Sequence, residues 1–297
     1  MTRTLQDVHA VAQKLRAKRL QDAALNLDIP DVRVTIGEDG RVKEITTAVN
    51  DAAHQLVEEC MLLANEMVCK ELVRREMPTL YRVHDEPDSD KLEELKRLLF
   101  IAGIESGDLT KRERLAALIE RIAHTPQAHA WNVAILRSMK KAEYSTQPIG
   151  HYGLAKQYYT HFTSPIRRYA DLVIHRLLKS ALAQTNSAYD SRRLSEIAVH
   201  CSDRETLATE AERDIIELKL IRYFSGQLES GDLVPYTAVI VDVKNFGVFV
   251  DLPQVQATGM IHVSMLHDDF FDFNPVRKEL HGYTSSAPKS SAQPSTD

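Results

Sequence analysis

Residues 151–176 read HYGLAKQYYTHFTSPIRRYADLVIHR and form the most informative segment of the chain. Its centre, TSPIRR, places two hydroxyl groups and a proline directly before two arginines. Thr163 or Ser164 is expected to cap a helix, with Pro165 at the first helical position, where its missing N–H costs nothing. The unpaired backbone N–H groups at such a helix start predict an anion site.

Charged and aromatic side chains accompany this turn. Arg167 and Arg168 carry fork-shaped donors that match the oxygens of a phosphate group. Aromatic rings are frequent in the same segment, namely Tyr152, Tyr158, Tyr159, Phe162 and Tyr169. Stacking rings beside phosphate-binding arginines hold single-stranded nucleic acid without reading its sequence. The segment therefore predicts a contact with single-stranded nucleic acid.

The segment also resembles the signature of the ribonuclease II / ribonuclease R family of processive 3'-to-5' exoribonucleases. The resemblance rests on residues 150–154 (GHYGL), on residues 161–169 (HFTSPIRRY), and on Asp171 and the pair His175-Arg176. It extends over residues 5–280, is closer to ribonuclease R, and includes three more stretches, which are 56–65, 80–84 and 139–145.

The resemblance implies an α+β fold with a mostly helical part of an RNB catalytic domain followed by a small, incomplete β-barrel of the OB-fold type. The implied organisation is a C-terminal part of the catalytic domain at residues 1–230, a truncated OB-fold RNA-binding domain at 231–282 and a disordered tail at 283–297.

The implied activity is degradation of single-stranded RNA to nucleoside 5'-monophosphates. Family members hold two Mg²⁺ ions with a cluster of aspartates, and this chain has no closely spaced aspartate run in a comparable setting. We therefore expect no metal ligands here, and little or no activity from the chain alone. A separate chain carrying the N-terminal half of the catalytic domain is a candidate partner, beside single-stranded RNA.

The resemblance also gives roles to individual residues. Arg167 is implied as the catalytic phosphate ligand. An acidic residue of the helix at 50–75 contacts the ribose at the RNA 3' end in the family, and both Glu58 and Glu59 match it. The candidate RNA-binding residues are Glu58, Glu59, Asn65, Tyr81, Arg82, His151, Thr163, Ser164, Arg168, Tyr169 and Phe246.

Several of these residues have an equally ordinary structural interpretation. Arg168 either shares the phosphate or pairs with an internal carboxylate. Asp171 and His175 are four residues apart on one helix face, so the carboxylate either orients the imidazole or pairs with an arginine. Glu58 and Asn65, seven residues apart, also share a face and are alternatively a buried hydrogen-bonded pair. His151 is ambiguous in the same way.

Composition limits the function classes. The net charge of −5 argues against a nonspecific nucleic-acid coat but allows a local basic channel. The sequence contains no run of 18 apolar residues, so it predicts no membrane-spanning helix, and its N-terminus lacks the apolar core of a signal peptide. Three cysteines without a CxxC pair argue against structural zinc and favour a reducing cytoplasm.

Hydrophobic periodicity predicts the remaining elements. The predicted helices are 3–22, 50–75 (capped by Asn50), 91–102, 112–122, 126–139, 165–183 and 191–228. The predicted strands are 32–36, 41–45, 237–243, 247–252 and 259–263, with no strand pattern after Gly282. Ile166 is expected to face inward from the helix at 165–183, while strand alternation directs Phe249 to the core and Phe246 to the surface.

Three rival hypotheses stay open at this point. The chain is alternatively a noncatalytic single-stranded RNA-binding module, or a degenerate fragment without a stable fold. The third rival is a metal-dependent hydrolase that uses four residues with no common helical or strand spacing: His151, His161, Asp171 and His175.

Overall fold

A computed structural model describes residues 2–29, 32–38, 40–47, 50–125, 127–187, 189–231, 233–255, 257–266 and 270–283. The chain divides into two compact units. The helical unit comprises Met1–Asp31 and Ala48–Leu218, and the sheet unit comprises Val32–Thr47 and Lys219–Asp297. The expected α+β class is confirmed.

The helices are α1 (Thr2–Gln21), α2 (Ala52–Arg74), α3 (Ser89–Ile101), α4 (Arg112–Ile122), α5 (Ala128–Ser138), α6 (Tyr169–Leu182) and α7 (Ser191–Ser230). The strands are β1 (Val32–Ile36), β2 (Val42–Thr47), β3 (Tyr81–Val83), β4 (Glu143–Ser145), β5 (Val239–Lys244), β6 (Gly247–Leu252), β7 (Ala257–His262), β8 (Phe270–Asn274) and β9 (Glu279–Tyr283). Apart from α6, the helices begin and end within two residues of the predicted bounds.

Helix α2 begins later than predicted because Asp51, not Asn50, is its cap. The Asp51 carboxylate accepts hydrogen bonds from the backbone N–H groups of Ala53 and His54 at 2.9 and 3.0 Å. A carboxylate at this position satisfies otherwise unpaired donors of the first turn and interacts favourably with the helix dipole.

Helix α6 begins at Tyr169, so the predicted start at Pro165 and the predicted capping by Thr163 or Ser164 are wrong. The backbone N–H groups of Arg167 and Arg168 both lie within hydrogen-bonding distance of the Ser164 carbonyl, at 3.3 and 3.0 Å, and form a turn before the helix. Ile166, predicted to face inward, projects from this turn and is fully exposed.

Two apolar cores stabilise the helical unit. One joins α2, α6 and α7, and its fully buried members include Leu72, Ile174, Leu177 and Leu194. The other joins α3, α4 and α5, and its fully buried members include Leu99, Leu115, Ile122 and Ile135. Each such side chain contributes about 2 kcal/mol through removal from water, so these helices supply a rigid support for the loops between them.

The sheet unit contains small antiparallel sheets. Strands β1 and β2 pair as a hairpin, β5, β6 and β7 form a three-stranded sheet, and β8 pairs with β9. The last two strands were not predicted, because their sequence, FFDFN and ELHGY, alternates weakly. No closed barrel forms among the described residues. The disordered tail was predicted to begin at residue 283, but Tyr283 is the last residue of β9; residues 284–297 lie outside the described residues.

Phe246 lies in the turn before β6, and the buried apolar side chains of that strand are Val248 and Val250 instead of the predicted Phe249. Phe246 is 44% exposed, whereas Phe249 is partly buried, and their rings meet edge to face at 5.9 Å. Within the described part of the chain, no helix is both long enough and apolar enough to cross a membrane.

Candidate nucleic-acid interface

The loop that precedes α6, residues 159–168, is called the signature loop here, and Asn65 of α2 fixes its start. The buried Asn65 amide donates to the Tyr159 hydroxyl at 2.9 Å and accepts from the Phe162 backbone N–H, also at 2.9 Å. The Phe162 carbonyl in turn lies 2.8 Å from Nε2 of His175, and the two rings stack at 4.2 Å. Asn65 therefore positions this loop, and both of its amide atoms are occupied.

Asp171 fixes the other end of the loop. Its carboxylate is fully buried and accepts from Nε and Nη2 of Arg168 at 2.8 and 2.9 Å. It also accepts from the Ser164 backbone N–H at 2.8 Å. A bidentate arginine and a backbone donor satisfy a buried carboxylate well. Of the two interpretations of Asp171, pairing with an arginine is the one that the structure has, and Arg168 is its partner.

Arg167 stands in contrast to Arg168. Its side chain is exposed and makes no ion pair or hydrogen bond with any residue that the structure describes. Tyr169 beside it is 48% exposed. The Thr163 hydroxyl oxygen is buried and has no partner among the described residues. The signature loop thus presents one uncompensated guanidinium group on a firmly held backbone.

Arg167 lines an open cleft of 960 Å³, called the arginine cleft here. Its other wall is α7, which contributes His200 and Arg204. Acidic residues line the same wall, but Glu205 is bound by Arg82 at 2.5 and 3.1 Å. The remaining charged or aromatic lining residues are Tyr144, Arg168, Tyr169, Arg193, Glu196 and Glu212.

A second groove, of 500 Å³, lies along α2 and is called the α2 groove here. Its apolar lining residues include Val57, Met61 and Leu62, and its polar ones are His54, Glu58, Asn65, Tyr159, His161 and Arg168. Glu59 faces elsewhere, because it is buried against Arg19 with distances of 3.1 and 2.5 Å. Glu58, whose side chain is 43% exposed, is therefore the acidic residue that the groove presents.

Burial favours the neutral form of three histidines near the signature loop, His84, His151 and His161. Burial lowers the pKa of His161 to about 2 and that of His151 to about 3, and nearby positive charges act in the same direction. His161 Nδ1 lies 2.8 Å from the Tyr144 hydroxyl. His84, whose pKa is also lowered by burial, accepts from Gly153 N–H and lies 2.9 Å from the Lys140 carbonyl. These contacts do not offer a cation to a phosphate.

Three further predicted RNA-binding residues lie outside the signature loop, namely Tyr81, Arg82 and Phe246. Arg82 is largely buried between Glu205 and the ring of Tyr144, whose centroid is 4.9 Å from the guanidinium carbon. Tyr81 is half-buried, and burial raises the pKa of its hydroxyl to about 12. Phe246 belongs to the sheet unit and is exposed there. The structure therefore places Arg167 and Arg168 in one loop, whereas Arg82, predicted as an RNA-binding residue, is largely buried.

The described residues do not fit a divalent metal. No group of three or more histidine, cysteine, aspartate or glutamate side chains among them could hold a metal ion. Asp171 is bound by Arg168, His175 by the Phe162 carbonyl, and His161 lies against Tyr144. The metal-dependent hydrolase built on these residues is therefore not supported.

Two lining residues of the arginine cleft were missed. His200 and Arg204 are exposed, four residues apart and on the same face of α7. The helical period of arginine and histidine from Arg193 onward carried this signal. The sequence predicted residues 191–228 as a helix but assigned no binding residue to it.

Comparison with protein families gives two matches. The family described as RNB domain matches residues 1–184, and the family described as S1 RNA binding domain matches residues 229–286. The first match covers more than half of the chain and includes α2 and the signature loop. The ion pairs Arg19–Glu59 and Arg168–Asp171 also lie within it.

Individual relatives agree with the match to the RNB family. The chain is 38% identical to ribonuclease R of Thermotoga maritima over 92% of its own length and 39% of that protein. It is 32% identical to ribonuclease R of Escherichia coli (strain K12) over 96% of its length and 36% of that protein. A solved structure of Mycoplasma genitalium RNase R in complex with ribose methylated single-stranded RNA superimposes with a TM-score of 0.82 at 27% identity, covering 96% of this chain and 45% of that one. The chain thus spans less than half the length of each of these three relatives.

Proposed function

The chain belongs to the RNB-domain family of ribonuclease II and ribonuclease R, and on this premise we propose that it binds single-stranded RNA for 3'-to-5' exoribonucleolytic degradation. The observation that supports this most is the exposed Arg167 beside an Arg168 that Asp171 already neutralises. In this proposal residues 1–230 are the catalytic-domain portion and residues 231–282 the OB-fold RNA-binding portion, with a tail at 283–297. The three free cysteines, two of them buried, are consistent with a reducing cytoplasm as the compartment.

Each residue has a distinct part in the proposed reaction. Arg167 donates to the phosphate at the reacting centre and neutralises charge that develops on its oxygens in the transition state. Glu58, exposed in the α2 groove, accepts from ribose hydroxyl groups at the RNA 3' end. Attack by water on the terminal phosphorus breaks its bond to the preceding 3' oxygen and releases a nucleoside 5'-monophosphate.

The other proposed RNA-binding residues of the signature loop either face the RNA or hold the loop in its conformation. Tyr169 offers an exposed ring, and Thr163 a buried hydroxyl without a described partner. Ser164 and Arg168 hold the turn through Asp171. Because the described residues do not fit a metal, we propose that the carboxylates for Mg²⁺ come from outside them, and a separate chain is the proposed source.

The binding part of the proposal is tested with Arg167→Ala. A fluorescently labelled single-stranded RNA is titrated with the protein, and anisotropy gives the Kd. Loss of a charge-assisted hydrogen bond is expected to weaken binding by about tenfold. Arg97→Ala is the matched control, since Arg97 is also exposed but lies on α3. Equal affinities of the two variants for RNA would contradict the proposal.

The catalytic part is tested with 3'-labelled RNA and Mg²⁺. The purified chain is expected to release little or no labelled mononucleotide. Addition of a polypeptide that carries the aspartate cluster of a ribonuclease R is expected to start the release, and Arg167→Ala to abolish it. Robust degradation by the chain alone would contradict the proposed source of the carboxylates.

A noncatalytic RNA-binding module is the second candidate, and the lack of a metal-fitting group among the described residues favours it. For this candidate, binding to RNA is tight and weakens steeply with salt. Such a module releases no nucleotide, even when the polypeptide that carries the aspartate cluster is added. The two experiments above therefore separate the candidates.

A further inference from the structure

A second basic cavity lies within the sheet unit and shares no lining residue with the arginine cleft or the α2 groove. It measures 750 Å³ and lies between the turn of the β1–β2 hairpin and the C-terminal part of α7. The residues that matter for its chemistry are Gly40, Arg41, Lys219, Arg222, Tyr223 and Glu229. All of them belong to the same compact unit.

The charge of this cavity is opposite to that of the chain. Arg41, Lys219 and Arg222 line it against one carboxylate, Glu229, whereas the whole chain carries a net charge of −5. Lys219 and Arg222 are three residues apart and therefore lie on one face of α7. Arg222 is exposed and forms no ion pair or hydrogen bond with a described residue. A local excess of positive charge with an available guanidinium group suits an anionic ligand.

The cavity is already partly organised. The Lys219 ammonium donates to the Gly40 carbonyl at 2.7 Å, which ties the hairpin turn to the helix. Its two other protons remain available, because a lysine has three donors. The wall is therefore set before any ligand arrives, which reduces the entropy lost on binding.

An aromatic ring completes the wall. Tyr223 lines the cavity, and its ring meets Phe224 edge to face at 5.7 Å, while Phe224 meets Tyr236 at 5.6 Å. The hydroxyl of Tyr236 also accepts from the Gln227 amide at 3.3 Å. A ring held by such contacts beside two cations is the combination that binds a nucleobase together with its phosphates.

We propose that this cavity is a second RNA-contact site, in which Lys219 and Arg222 bind backbone phosphates of single-stranded RNA and Tyr223 stacks on a base. The inference rests on the proposed function for the identity of the ligand. It is separate from the exposed aromatic residues of the β5–β7 sheet, such as Phe246, and from Arg167.

The test removes the two charges without removing the hairpin contact. In Lys219→Gln combined with Arg222→Gln, the glutamine at 219 keeps a donor for the Gly40 carbonyl. The matched control is Arg33→Gln with Lys43→Gln, which removes two exposed charges from the same hairpin outside the cavity. Anisotropy titrations with single-stranded RNA at several salt concentrations give the affinity and its salt dependence.

The cavity variant is expected to bind about tenfold more weakly, and its slope of log K against log salt is expected to fall by about 1.4, since each phosphate contact contributes about 0.7. The control is expected to change either quantity far less. Equal losses in both variants, or an unchanged slope in the cavity variant, would overturn the site. Failure of Arg167→Ala to weaken binding concerns the proposed function instead, so the two failures are distinguishable.

A measurement on the unaltered protein keeps the inference testable if the cavity variant does not fold. RNA containing 4-thiouridine is crosslinked to the full chain by ultraviolet light, and mass spectrometry locates the adducts. An adduct on Tyr223 supports the site. Adducts confined to the helical unit or to the strands β5–β7 would overturn it.

Discussion

The neutral histidines beside the signature loop predict that acid weakens the fold well above the pH at which carboxylates titrate. Burial lowers the pKa of His151 to about 3 and that of His161 to about 2. Arg168, Arg82 and Arg167 add repulsion to a protonated His161, and His84 and Arg82 add repulsion to a protonated His151. Histidine in an unfolded chain has a pKa near about 6.5.

The direction follows from proton linkage. Above a pH of about 6.5 both states hold these histidines neutral, and stability is complete. Below it the unfolded chain takes up protons that the folded chain refuses, so stability is lost progressively as the pH falls toward about 3. At pH 5 the loss is about 2 kcal/mol for each histidine and about 4 kcal/mol for the pair. A domain of this kind has about 5–15 kcal/mol in total.

The assay is urea unfolding followed by circular dichroism at pH 7.5 and pH 5.0. His161→Asn removes one titrating group and keeps a polar partner for Tyr144, so it is expected to reduce the difference between the two pH values by about 2 kcal/mol. His200→Asn, at an exposed position of α7, is expected to leave that difference unchanged. The reasoning is refuted if the parent protein is equally stable at both pH values, or if His161→Asn keeps the full pH dependence.

Two further predictions concern buried ion pairs. Asp171→Asn leaves the Arg168 guanidinium without its carboxylate and is expected to destabilise the protein by about 3–5 kcal/mol in thermal unfolding. Asp203→Asn, at an exposed position, is expected to change the melting temperature little. Equal melting temperatures of the two variants would contradict a stabilising role of the Arg168–Asp171 ion pair. Glu59→Gln removes the buried carboxylate that binds Arg19 and leaves only Glu58, at 3.7 Å, to pair with it; it is expected to lower the free energy of urea unfolding by about 3 kcal/mol. A change below about 1 kcal/mol would show that the Arg19–Glu59 pair is dispensable.

Local sequence patterns predicted most of the helices. Local residue patterns predicted α1, α3, α4, α5 and α7, and the TSPIRR segment predicted an anion site at the start of a helix. It could not predict where α6 begins. That start depends on a carboxylate seven residues beyond Ser164, which holds the Ser164 backbone outside the helix.

Long-range pairing explains the other errors. Arg82 looks like a surface residue in its own segment, but its partner Glu205 is 123 positions away. Glu58 and Glu59 are adjacent, and only the position of Arg19, 40 residues from Glu59, separates the groove residue from the buried one. Such choices are made by tertiary packing and have no signal within one helix.

The β1–β2 hairpin has a consequence for how the chain reaches its folded state. It lies between α1 and α2 in the sequence, yet it belongs with residues 219–297. A lone two-stranded hairpin is marginally stable in water. On a ribosome it emerges roughly ten to thirty seconds before its partners, at usual elongation rates. The sheet unit is thus completed last, and a shortened chain that stops at residue 218 would leave the hairpin unsupported.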